Sequence, residues 1–356
     1  MPLKEDSIHT ISDRNYFDMK EIKEAIVNGL VANSLTPIRD AVSHLTRLDD
    51  FNVTKLSAGF FSEVFKVTHI STHKVMVLKM NKHAGNRGNA LKEIELLNKL
   101  NHPNVVAFMG TVVHEGQLHP LLEYLNGGTL ENLIKRFYDA SVVKRLAASE
   151  SSPSNKKCYE LCISQSTVPV SEDNQKISLL FCKLAKDIAQ GMKYVHELNY
   201  IHRDLTSKNV LLRRNVDALT TTCDPQELTA VIADFGFAAN EPSPNDPKLP
   251  TVGSPYWMAP ECLKCQWYNH KCDIFSFGVI CCELNWRIPA DPDFLPRDNN
   301  FTILFNNLPA SKTSLSKIAQ LSTNSDPSLR PEFCEIITFF QDSDDCTLFS
   351  SCEDLQ

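Results

Sequence analysis

The sequence predicts an α+β chain of two unequal lobes, the first small and rich in β-strand with one main helix, the second larger and mostly helical. Three observations carry this. At 356 residues the chain is longer than one hydrophobic core usually fills. Between residues 51 and 80, short alternating runs read as antiparallel strands: Phe-Asn-Val-Thr-Lys-Leu from 51, Glu-Val-Phe-Lys-Val from 63 and Val-Met-Val-Leu-Lys from 75. Farther on, Ile177, Leu180, Phe181, Leu184, Ile188, Met192 and Val195 recur at helical spacing and mark a long helix with one buried stripe.

Residues 1–50 form an N-terminal extension. Asp18 and Glu21 make a capping box, and Ile22, Ile26, Val27, Leu30 and Val31 give an amphipathic helix. The expected domain runs over 51–341. In its first lobe, 51–122, Leu91, Ile94, Leu97 and Leu100 share a helical face that Asn-His-Pro-Asn at 101–104 terminates. A hinge at 123–126 leads to the second lobe, 127–341. Within that lobe, 139–176 is rich in Ser, Lys, Glu and Asn and has no apolar period, so it reads as a flexible insertion. The tail, 342–356, is acidic, bears serines and is expected to fray.

The 36 basic and 43 acidic residues leave a net charge of −7, which argues against a surface built to neutralise nucleic acid. No run of about 18 apolar residues suggests membrane insertion, and the opening Met-Pro-Leu-Lys-Glu-Asp lacks a secretory pattern. A soluble, cytoplasmic protein is expected, with its 12 cysteines reduced and mostly buried.

Several features with chemical potential follow one another along the chain. Ser57-Ala58-Gly59-Phe60-Phe61-Ser62-Glu63-Val64 is a hairpin of small residues whose backbone amides can fold over phosphates. Lys79 ends a strand inside the first lobe, where a cation must be paired, and Glu93 lies on the helix that follows. Glu95 points to another face. Then come His202-Arg203-Asp204-Leu205-Thr206-Ser207-Lys208-Asn209, the triplet Asp234-Phe235-Gly236 after the apolar run Ala-Val-Ile-Ala, Ala259-Pro260-Glu261, Asp273 in Asp-Ile-Phe-Ser-Phe-Gly, and Arg330. Cys262, Cys265, His270 and Cys272 have zinc-like spacing at first sight. No second ligand pair lies at finger-like distance, and a packing role is the better reading.

In this order the features resemble the protein-kinase signature, which implies the bilobal protein kinase fold. More closely, the chain resembles the testis-specific protein kinase family, relatives of the LIM kinases in the tyrosine-kinase-like group. The strings that carry this are 58–64, Met-Val-Leu-Lys-Met-Asn-Lys at 76–82, Asn-Arg-Gly-Asn at 86–89, Glu-Tyr-Leu-Asn-Gly-Gly-Thr-Leu at 123–130, 202–209, Gly-Ser-Pro-Tyr-Trp-Met-Ala-Pro-Glu at 253–261 and Pro-Ala-Asp-Pro-Asp-Phe-Leu-Pro-Arg at 289–297. Few other kinases share the last.

The resemblance implies a dual-specificity kinase that uses ATP with Mg²⁺ or Mn²⁺, acts on Ser/Thr and Tyr, and takes cofilin as substrate in actin organisation. It implies that Asp204 orients the acceptor hydroxyl, that Lys79 paired with Glu93 aligns the nucleotide phosphates, and that Asn209 and Asp234 hold the metal. Residues 57–62, Val64, Val77, Leu122, Glu123, Leu125 and Leu211 would surround the nucleotide. Thr251 and Ser254 are the hydroxyls of the activation segment; Ser254 reads equally as an autophosphorylation site and as a direct contact of Asp204. His202, Phe235, Glu261, Asp273 and Arg330 are supports. Thr206 replaces the usual Lys of serine/threonine kinases, and Lys208 supplies the cation instead. Ser57 replaces a family glycine, and Leu122 stands where the family tends to have Thr, which should narrow the back of the adenine pocket. The poor glycine loop leaves one rival reading, a pseudokinase scaffold.

Overall fold

The computed structural model describes residues 45–58, 62–81, 87–138, 174–214 and 228–342. The expected amphipathic segment at 18–31, the loop tip 59–61, most of the insertion and the tail beyond 342 lie outside these residues.

The alternating runs form the first lobe's sheet. Strands β1 (Leu45–Arg47), β2 (Phe51–Ala58), β3 (Ser62–His69), β4 (Val75–Asn81), β5 (Phe108–His114) and β6 (Gln117–Glu123) lie in the order β1-β5-β6-β4-β3-β2. All neighbours are antiparallel except β1, which runs parallel to β5 with Leu45 opposite Thr111. This strand corrects the sequence reading, which left everything before residue 51 outside the lobe; three residues are too short to show an alternating period. Phe51, Val67, Met76, Leu78, Val112 and Leu121 make the lobe's own core. Helix α1 (Arg87–Lys99) packs on β5 and β6 through Ile94, Leu96 and Leu97, while Leu91 is only half buried. Glu95 pairs with Lys99 at 2.8 Å on its outer face.

In the second lobe α2 (Leu130–Arg136) is capped by Thr129, whose hydroxyl accepts the Asn132 amide at 3.1 Å. Helix α3 (Asn174–Glu197) buries all seven residues of the predicted stripe. It begins three residues inside the segment expected to be flexible, because Ile177 already belongs to the apolar stripe and draws the preceding turn into the helix. Beyond its C-terminus β7 (Tyr200–Ile201) pairs with β10 (Ala239–Asn240), while β8 (Val210–Arg214) pairs with β9 (Leu228–Ile232), which packs along the helix from Lys183 to Gly191. Short α4 (Pro260–Leu263) precedes α5 (Lys271–Trp286), which is apolar nearly all round and therefore lies at the centre, with α3 and α6 (Ser314–Ser322) against it. Helix α7 (Phe333–Asp342) closes the lobe against α3.

Arg330 ties α4 to this core. Its fully buried guanidinium meets Glu261 through two parallel bonds of 2.6 and 2.8 Å, donates to the Asn324 and Lys271 carbonyls, and lies 5.1 Å from the Phe275 ring. Removing one partner of such a pair leaves the other charged in a dry interior. Arg330→Ala should therefore lose about 3–5 kcal/mol of stability, read by urea unfolding; a loss of under about 1 kcal/mol, the range of an exposed pair, would contradict the buried clamp.

Candidate active site

The loop from His202 to Asn209 joins β7 to β8, and it is bent. Arg203 has φ 66°, a conformation that side chains other than glycine adopt reluctantly. Asp273, in the first turn of α5 and wholly buried, holds the bend: its Oδ2 accepts the His202 amide at 2.8 Å and its Oδ1 accepts the Arg203 amide at 2.9 Å. Burial pushes the Asp273 carboxyl up, but the hydrogen bond from His196 and the other donors outweigh it and hold it below its ordinary value. His202 is buried with its ring 4.8 Å from that of Phe235, and its Nε2 lies 3.1 Å from the Ala233 carbonyl.

These supports present Asp204 at the mouth of the loop. Its Oδ1 accepts the backbone amide of Ser254 at 2.8 Å, and its Oδ2 accepts the side-chain amide of Asn209 at 2.9 Å. The approach of Ser254 depends on Gly253, whose φ is 106° and where a Cβ would stand 2.3 Å from the Arg203 carbonyl oxygen. It is thus the backbone of Ser254 that touches Asp204. The Thr251 hydroxyl donates to the Cys262 carbonyl at 3.0 Å. Arg203 donates to the Phe237 carbonyl at 2.6 Å and to the Tyr268 hydroxyl at 3.4 Å. Lys208 stands 5.4 Å over the Trp257 ring.

Across from this loop, the Lys79 ammonium on β4 lies 2.6 Å from Glu93 on α1 and 2.6 Å from Asp234. Burial opposes a charge here, but the two carboxylates outweigh it and raise the Lys79 pKa. Burial raises Glu93 despite Lys79; for Asp234 burial also works upward, yet Lys79 wins and the carboxyl is lowered. All three residues come together, although 155 positions separate Lys79 from Asp234.

The donor set suits a hard divalent cation. The Asn209 amide nitrogen is committed to Asp204, through its backbone carbonyl at 2.8 Å and its carboxylate, which leaves the amide oxygen for a ligand. Asp234 receives Lys79 on Oδ1, and its side chain remains 46% exposed. Two hard oxygens completed by those of a substrate are what Mg²⁺ favours.

The positions expected around the base and sugar are less uniform. Val64 pairs with Lys79 in the β3–β4 register and Val77 with Leu122 in the β4–β6 register. Leu122 is buried, whereas Val77, Leu125 and Leu211 are partly buried against the larger core and Ser57 is exposed. Glu123 receives a bidentate contact from Arg213 at 2.8 and 2.9 Å and accepts the Ala107 amide at 2.9 Å, so the strand leading into the hinge is fastened to β8.

Sequence reasoning missed Glu283. It lies 2% exposed in α5, where burial pushes its carboxyl up to about 8, and accepts the Ser207 hydroxyl at 2.9 Å and the Trp257 indole N–H at 2.8 Å. The 202–209 loop and the 251–261 segment thus meet on one carboxyl group. Its signal was a single carboxylate within the apolar run Phe-Gly-Val-Ile-Cys-Cys-Glu-Leu.

The cysteine cluster divides: Cys262 and Cys272 are buried and Cys265 is exposed, and no metal-ready group of His, Cys, Asp and Glu occurs among the described residues. His270 faces carboxylates on both sides, Glu241 at Nδ1 and Glu332 at Nε2, the latter at 3.1 Å. Burial lowers its pKa, but Glu332 and Glu241 outweigh it and raise it overall, while Glu332, bonded to His270, is held down to about 2. A folded-state pKa above the unfolded one gives a stabilisation that is complete below about pH 6.5 and fades as pH rises through the folded value. The stability gap between the wild type and His270→Gln should therefore shrink on going from about pH 6.5 upward, measured by urea unfolding at a series of pH values; a gap that widens would contradict the clamp.

The protein tyrosine and serine/threonine kinase family matches residues 52–340. Human dual specificity testis-specific protein kinase 1 is 42% identical over 317 residues, 85% of this chain and 43% of the relative. Human dual specificity testis-specific protein kinase 2 is 42% identical over 310 residues, covering 85% and 46%. LIM domain kinase 1 of Drosophila melanogaster is 34% identical over 274 residues, covering 70% and 19%. The chain spans less than half the length of these relatives. With the family matched across both lobes, the chain belongs to the protein tyrosine and serine/threonine kinase family.

Proposed function

We propose that this chain is an active dual-specificity protein kinase that moves the γ-phosphoryl group of ATP onto serine, threonine and tyrosine hydroxyls of proteins. The observation that carries this reading is the Lys79 ammonium held 2.6 Å from both Glu93 and Asp234, a cation fixed where nucleotide phosphates would need one. Lys79 draws the phosphates into place, and Glu93 keeps its ammonium from swinging away. Asp234 and Asn209 would hold the divalent cation, Mg²⁺ or Mn²⁺, which when bound neutralises phosphate oxygens.

Asp204 orients the acceptor hydroxyl and takes its proton as the oxygen bonds to phosphorus and the bond to the β-phosphate oxygen breaks, releasing ADP. Its oxygens each accept one protein hydrogen bond and keep a lone pair for that hydroxyl. Lys208, four residues on, balances the transferred charge after leaving the Trp257 face. Such catalysis is positioning and electrostatics.

Dual specificity rests on the names of the testis-specific relatives. Family resemblance supplies cofilin as the candidate substrate, actin organisation as the process and the cytoplasm as the place of action. Purified chain incubated with ATP, Mg²⁺ and either cofilin or a generic protein substrate tests this by phosphorylated-residue mapping. The reading expects phosphate on serine or threonine of the substrate and on tyrosine of the kinase itself. No incorporation into any protein would favour a scaffold.

A further inference from the structure

The segment Pro289–Arg297, one of the strings that carry the family resemblance, has no place in the chemistry above. Its residues nevertheless converge on one side chain. Asp291 builds a turn: its side chain accepts the Asp293 amide at 3.0 Å and its carbonyl accepts the Phe294 and Leu295 amides at 2.8 Å. Phe294 and Leu295, 1% and 0% exposed, anchor that turn in the core. Immediately beyond, Asp298 closes a hairpin by accepting the Asn300 and Thr302 amides at 2.8 Å each, and Arg297 bridges to Ile303 across it. Arg297 therefore projects from a backbone fixed on both sides.

Its guanidinium extends over the Phe275 ring of α5, 5.9 Å from the ring centre, and Nη2 donates to the backbone carbonyl of Tyr256. Nε is buried without a hydrogen-bond partner, and among the described residues no salt bridge reaches the group. Holding a cation in this setting is unfavourable, and burial lowers its pKa. Among the described residues, a side chain kept there against that penalty has one specific polar contact, the carbonyl of Tyr256.

That carbonyl belongs to residues 254–258, which the Ser254 amide joins to Asp204. Ser254 is bonded to Asp204, the Trp257 indole to Glu283, and the Trp257 carbonyl to the Ser276 hydroxyl at 2.8 Å. Tyr256, between these anchors and 42% exposed, is held by Arg297. The remaining anchors come from the catalytic loop and α5.

We infer that Arg297 is a positioning residue for the protein substrate: it fixes the Tyr256 carbonyl and so the backbone of residues 254–258, which the Ser254 amide sets directly beside Asp204 and hence beside the acceptor hydroxyl. This rests on the kinase reading above. The nucleotide phosphates and their cation do not depend on Arg297, so its loss separates binding of the two substrates.

The test compares wild type, Arg297→Gln and Arg297→Lys by hydrogen–deuterium exchange and by steady-state kinetics. In Arg297→Gln, amides of residues 254–259 should exchange faster, KM for the protein substrate should rise about tenfold, the scale of one charge-assisted hydrogen bond, and kcat and KM for ATP should stay within about twofold. Arg297→Lys, which keeps a charged donor, should restore part of the protection, and it carries the comparison if the glutamine variant lacks a cooperative unfolding transition. Unchanged exchange over 254–259 in both variants, or a rise in KM for ATP equal to that for protein, would overturn the assignment. If the wild type transfers no phosphate the kinase reading fails, while the exchange measurement still decides whether Arg297 braces this segment.

Discussion

Phosphate transfer by Asp204→Ala should fall roughly 10²-fold or more, the range for a group that orients a nucleophile and receives its proton. Lys79, Glu93 and Asp234 form their cluster without Asp204, so KM for ATP should change little. The alanine also removes the acceptor shared by the Ser254 amide and the Asn209 side chain, 2.8 and 2.9 Å away. Part of the loss is thus loss of order between the catalytic loop and the activation segment. Initial-rate measurements on purified protein check this, and a rate within a few-fold of wild type would remove Asp204 from the role proposed for it.

Lys79→Met should have an effect as large on transfer, roughly 10²–10³-fold for the loss of a preorganised charge, and a second effect on stability. Glu93 is 5% exposed at its side chain and Asp234 would face it with no cation between them. Leaving a buried charge unpaired costs about 3–5 kcal/mol. The pH dependence has a defined sign. Burial already raises Glu93, and without Lys79 its folded-state value rises further above the unfolded one. The protonated carboxyl is then the form the fold accepts, so the variant should be relatively stable below about pH 4.3 and lose stability as pH climbs through the raised value. Urea unfolding at several pH values measures this; a variant as stable as wild type at neutral pH would mean that Lys79 and Glu93 are not coupled as the 2.6 Å contact indicates.

Much of this arrangement was legible from spacing. Short apolar and alternating runs bounded by turn residues marked β2, β3 and β4, and the stripe from Ile177 to Val195 marked α3, because each spans enough residues for its pattern to stand out. The Asp204–Asn209 and Asp234–Gly236 features were visible because their residues are local in sequence. What escaped detection was long-range or too short. β1 is three residues whose pairing with β5 depends on a partner more than sixty positions away. Glu283 is one acid in an apolar run, and its partners Ser207 and Trp257 lie 76 and 26 positions away. Gly253 matters because of a carbonyl fifty positions earlier in the chain. The resemblance offered Lys208 as a phosphate ligand, and nothing in the sequence foretold that it would stand over Trp257.

The proposed kinase activity requires Lys79, Glu93, Asp204, Asn209 and Asp234 to serve one nucleotide and one cation. A crystal structure of the chain with a non-hydrolysable ATP analogue and Mg²⁺ tests it most directly. It should show the cation about 2.0–2.1 Å from an oxygen of Asp234 and from the Asn209 amide oxygen, with the Lys79 ammonium on the phosphates and still paired with Glu93. A nucleotide bound away from Lys79, or a cation that touches neither Asp234 nor Asn209, would contradict it.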